Sequence, residues 1–151
     1  MQIRKYAKQT QIPYLRVYAA FATALVKAAS GNFLGSANDL QVGLDLAAQT
    51  NAGHDHVPFM LAELSYAQYR AGLAHKAADT AQSAIAMAKR RSRRTAECLA
   101  TMVYAAAISL RISDREAKDA FLQADERIRL TGAELLAPRF KWLRAESAIG
   151  A

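Results

Sequence analysis

His54–Asp55–His56 sets two imidazoles and a carboxylate side by side, donor types that bind a divalent metal. A strand would project both imidazoles to one side, but a loop need not. No further His or Cys stands at a diagnostic spacing. The segment therefore reads as a polar loop, and no metal or other cofactor is expected. Cys98 is the only cysteine. A nucleophilic thiol needs a base and an orienting carboxylate. Glu97 adjoins it, but neighbours on a helix point apart. Cys98 reads instead as a small buried apolar side chain in a reducing compartment. His75 stands alone at a helix start and reads as surface. Gly31 and Gly35 are not followed by the Lys and Ser or Thr of a phosphate loop. With no acid–base pair either, the chain is not expected to be an enzyme.

The second chemical feature is charge. The net charge is +7, and much of it lies in Lys89, Arg90, Arg91, Arg93 and Arg94, interrupted only by Ser92. Such a patch attracts phosphate or acidic proteins. No aromatic residues interleave with it, as a single-strand binder would want. The cluster reads as a solvated turn whose cations complement a helix C-terminus, and nucleic-acid binding is the least expected partner class. Arg4, Lys5 and Lys8 make residues 1–12 a basic segment that is expected to be flexible.

These residues must be held by helices. Apolar residues make up 52% of the chain and 34 of the 151 residues are Ala, the best helix former. Pro and Gly fall between periodic segments. Leu15, Val17, Tyr18, Phe21, Leu25 and Val26 give helical spacing over Pro13–Ala29, which Ser30–Gly31–Asn32 stops. Ser36 is expected to cap a helix through Gln49. Thr50–Val57 reads as a loop, and Pro58 opens a third helix that Gly72 ends. A fourth runs to about Arg91, a fifth to about Arg111 and a sixth from Ser113 or Asp114 to Leu130. A seventh is expected from about Ala133 to Ser147, with Pro138 disturbing its first turn. The apolar stretch Val17–Ala29 contains Lys27 and is shorter than the ~20 residues of a membrane span. Its basic approach and small Ala28–Ala29–Ser30 end imitate a signal peptide, but the run is Ala-rich and ends in a charged turn. A cytoplasmic protein is expected, with no membrane partner.

Three segments repeat one small-residue pattern about 40 residues apart. Gly31 precedes Leu40, Leu44 and Ala47; Gly72 precedes Ala77, Ala81 and Ala84; Ile112–Ser113 precede Ala117, Phe121 and Ala124. Ala77, Ala81, Ala84 and Ala117, Phe121, Ala124 resemble part of the tetratricopeptide-repeat signature. Leu40, Leu44 and Ala47 keep its spacing with larger residues. The Trp and Leu-Gly of the full signature are missing from every first helix, and the period is longer than the family's. Longer repeats of this kind resemble those that follow an ATPase module in bacterial adenylate cyclases and large transcriptional activators. Leu130–Thr131–Gly132–Ala133, Arg139 and Leu143–Arg144–Ala145–Glu146 are similar to the tail of those arrays. The resemblance implies an all-α, right-handed helical-repeat solenoid over residues 13–151. It would hold about seven antiparallel helices, in three pairs plus a capping helix. Whether the chain stands alone or belongs to a larger ATPase-linked regulator stays open.

In the family, first helices line a concave groove. Phe59, Tyr66 and Tyr69, with Glu63 and Arg70, fall on one side of the third helix, and Met60, Leu61, Leu64 and Ala67 on the other. Such a helix is either sandwiched or awaiting a partner. The resemblance makes Phe59, Glu63, Tyr66, Tyr69 and Arg70 the expected partner-binding set. On the fifth helix, Leu99, Met102, Val103 and Ala106 make either a greasy groove or a buried helix. The expected function is a non-catalytic interaction scaffold or regulatory repeat module that binds a peptide or protein. The alternative is a sensor that takes a small-molecule effector in a pocket lined by Tyr66, Tyr69 or Trp142. A homo-oligomer is a further possible state.

Overall fold

The computed structural model describes residues 12–109 and 113–149. Among them are seven α-helices and no strand: α1 Pro13–Ala29, α2 Phe33–Thr50, α3 Val57–Arg70, α4 Ala74–Arg90, α5 Arg94–Ile108, α6 Asp114–Thr131 and α7 Ala137–Ile149. Apart from Ile12, the basic segment expected over residues 1–12 lies outside the described residues. So does the fifth helix's expected end at Arg111. No helix among the described residues is long and apolar enough to cross a membrane.

One backbone device ends four of these helices. Gly31, Gly72, Ser92 and Gly132 all take positive φ, between 54° and 83°. After each, the next residue's N–H turns back to the carbonyl five residues earlier: Asn32 to Lys27, Leu73 to Gln68, Arg93 to Ala88 and Ala133 to Ile128. This is the Schellman stop, which satisfies carbonyls that a helix end would leave bare. It reverses the chain in few residues, so consecutive helices pack against each other.

Two expected helix starts are corrected. α2 begins at Phe33, and its N-cap is Asn32, whose side chain accepts from the Gly35 N–H at 2.9 Å. Ser36 lies inside that helix and is buried. α7 begins at Ala137 rather than Ala133, because a 3₁₀ turn over Glu134–Leu136 precedes it. Pro138 then sits in the helix's first turn, where a missing N–H costs nothing. α6 opens with a full capping box between Ser113 and Glu116.

α1 packs on α2, α2 on α3, α3 on α4, α4 on α5 and α5 on α6; α3 also packs on α5, and α5 on α7. This contact order is consistent with a helical repeat. Small residues set the spacing. Ala77, Ala81, Ala84 and Ala88 form a fully buried stripe along α4. Gly43 on α2 leaves room for the Met60 side chain, which a Cβ would strike. The interior divides into two clusters. One joins α1 and α2 to Met60, Leu64 and Ala67 of α3. The other joins Ala62 and Tyr66 of α3 to α4, α5, α6, the 3₁₀ turn and α7. Leu99, Met102, Val103 and Ala106 are all buried, so α5 is a core helix and not a greasy groove.

Candidate functional site

The α3 stripe is sandwiched. Met60, Leu64 and Ala67 face the first cluster, while Tyr66 belongs to the second and Phe59, Leu61 and Tyr69 pack against it. Tyr66 is only 5% exposed, which corrects the expectation of an open, groove-lining ring. Phe59, Glu63, Tyr69 and Arg70 are half-buried. Their polar ends are engaged by the chain itself. Arg70 donates to the Tyr66 hydroxyl at 2.7 Å. Its guanidinium lies between two rings, 4.1 Å from the centroid of Phe33 and 3.9 Å from that of Trp142. Arg139 of α7 donates to both carboxylate oxygens of Glu63, at 2.8 and 2.9 Å. Tyr69 meets Trp142 edge to face at 6.3 Å. Burial, with Glu146 adding its charge, pushes the Tyr69 phenol above its ordinary pKa.

Four of the five residues expected to bind a partner therefore join α3 to α7 or to Phe33 at the start of α2. The fifth, Phe59, packs on the second cluster. Of the three rings expected to line an effector pocket, Trp142 and Tyr66 stand 3.9 and 5.6 Å from the Arg70 guanidinium.

The His54–Asp55–His56 loop and the basic turn come together. Arg91 donates to the His54 carbonyl at 2.5 Å, and Arg93 pairs with Asp55 at 3.5 Å. Two of the five clustered cations thus brace the neighbouring loop, while all five stay exposed. The loop's side chains diverge. His54 bonds to Asn51, Asp55 to Arg93, and His56 to the Tyr14 hydroxyl. Among the described residues, no three His, Cys, Asp or Glu side chains gather as a metal would need. Cys98 is buried, with its sulfur 3.2 Å from the Thr131 hydroxyl. Burial raises its pKa foremost and the Glu97 charge adds to this; the Thr131 hydrogen bond and Arg127 oppose it. Such a thiol is held protonated and is a poor nucleophile.

An open aromatic face does exist, but on α1. Tyr14, Tyr18, Phe21 and Leu25 recur at steps of four, three and four, one side of a helix. Tyr14 is 47% exposed, Tyr18 40% and Leu25 37%. The rings of Tyr14, Tyr18 and Phe21 stand 5.7 to 5.9 Å from the His56 ring. The sequence carries this stripe's spacing openly. Compared with known proteins, the chain matches no family model, no curated protein and no solved structure.

Proposed function

We propose that the chain is a non-catalytic interaction scaffold that binds a protein or peptide partner on the exposed face of α1. We read its helix pairs as a right-handed, tetratricopeptide-like solenoid with α7 as the capping helix. The packing of sequential and alternate helices supports that reading. One observation carries the function: Tyr14, Tyr18 and Leu25 remain exposed on a single helical face beside Phe21 and His56. Aromatic rings with a polar tip are the residues that anchor interfaces, because they add apolar area and a hydrogen bond together. The α3 set has a different role here. It holds α7 in place and leaves the aromatic contacts of α1 to the partner. The basic turn is not the favoured surface, because Arg91 and Arg93 are engaged in bracing the 54–56 loop.

The test begins with a photo-crosslinking side chain at position 18, and another at position 122 as a control. A partner captured only from position 18 is then titrated against wild type and against Tyr14→Ala/Tyr18→Ala. The double variant should bind at least about tenfold more weakly, with its helical content unchanged. Equal binding by both proteins would reject the α1 face.

A further inference from the structure

An open cleft of about 390 Å³ lies between α2, α3 and α4. That volume falls within the roughly 300–1,000 Å³ of small-molecule sites. Its floor is apolar: Leu44 of α2 and Val57, Leu61 and Leu64 of α3. Its rim is polar, formed by Gln41 of α2 and by Asp79, Thr80 and Ser83 of α4. Asp79 of α4 contributes a carboxylate, and no ion pair reaches it among the described residues. The Ser83 hydroxyl, one turn on, donates to the Asp79 carbonyl at 3.2 Å, which leaves its oxygen free to accept. Gln41 donates its amide to Asp45 at 3.0 Å and likewise keeps an accepting oxygen. Among the described residues, no Lys, Arg or His lines the cleft.

In a chain of net charge +7, this cleft joins an uncompensated negative charge and several acceptors to an apolar floor.

We propose that the cleft binds a small organic ammonium ion with an apolar tail. The tail lies on Leu44, Val57, Leu61 and Leu64, and the ammonium group sits at the rim against Asp79. A carboxylate of the same shape is repelled by Asp79. An alcohol keeps the apolar contact and loses the charge attraction. The site is separate from the α1 face and does not depend on what binds there.

Three isosteric probes distinguish these terms: n-octylammonium, 1-octanol and octanoate, each titrated into the full chain by amide ¹⁵N–¹H spectroscopy. The expected result is saturable shifts at Leu61, Leu64, Thr80 and Ser83. The ammonium should bind about fivefold more tightly than the alcohol, and octanoate most weakly. Added salt should narrow the gap between ammonium and alcohol. Asp79→Asn should remove the ammonium preference while leaving the affinity for octanol as it was. The proposal is overturned if ammonium and alcohol bind alike, if the shifts lie outside the cleft, or if Asp79→Asn keeps the preference.

Discussion

Cys98 shows how a side chain with reactive chemistry is disarmed by its surroundings. Its sulfur is buried on α5, beside the Thr131 hydroxyl. Desolvation favours the neutral thiol over the thiolate, so the folded chain holds this proton more tightly than the unfolded chain does. Below roughly pH 8.5, the ordinary thiol range, both states are protonated and the contribution to stability is complete. As pH rises beyond it, the unfolded thiol ionises first, and stability falls until the folded thiol ionises too. Urea unfolding at pH 7.5 and 9.5 should show this loss in wild type. Cys98→Ala should shrink the difference between the two pH values, whatever its own stability. An equal difference in both proteins would mean that the thiol is not buried in solution.

At the scale of the helix, the ends were legible and the surroundings were not. The breaks at residues 31, 72, 92 and 132 could be read from Gly31, Gly72, Gly132 and the punctuating Ser92, because each of these four helices ends on a left-handed residue. Ser92 takes φ 54° with an ordinary side chain, a conformation that costs an L-residue roughly 1–2 kcal/mol. Gly31 and Gly72 occupy the same place without that strain. Ser92→Gly should therefore stabilise the fold by about 0.5–1 kcal/mol, after the added entropy of the unfolded glycine is subtracted. Denaturant melts would show it as a higher midpoint at unchanged slope. What periodicity could not reveal is which apolar face has a neighbour. Tyr66 on α3 and Tyr18 on α1 have similar patterns in sequence. Tyr66 is covered because α5 and α7 arrive from distant parts of the chain, while Tyr18 meets the His56 ring on one side and stays 40% exposed. The Asn32 cap was hidden for a local reason. Asn32 and Ser36 are both capping types, and Asn32 wins because the Gly31 stop delivers its backbone directly into the next helix.

Across the whole molecule, α7 ties the end of the helix array back to α3 and α5. Its backbone packs on α5, yet its polar side chains reach past α5 to α3. Arg139 grips Glu63 with both carboxylate oxygens, and Trp142 covers Arg70, which in turn holds Tyr66 and Phe33. Glu63 and Arg139 are partly screened by solvent, with side-chain exposures of 17% and 33%. Their coupling should then be about 0.5–1 kcal/mol rather than the larger value of a desolvated pair. The cation–π contact of Arg70 with Trp142 adds about 0.5–2 kcal/mol, depending on its desolvation. Terms of this size cannot unfold seven helices, but they can release one. Arg139→Ala and Trp142→Ala should each speed amide exchange in α7 several-fold while protection in α1, α2 and α4 stays at the wild-type level. Glu63→Gln should match Arg139→Ala, and the double variant should be little worse than either alone, because both remove one interaction. If instead the Arg139 and Trp142 variants lower protection evenly through all the helices, α7 is an inseparable part of the core and not a cap held on by its side chains.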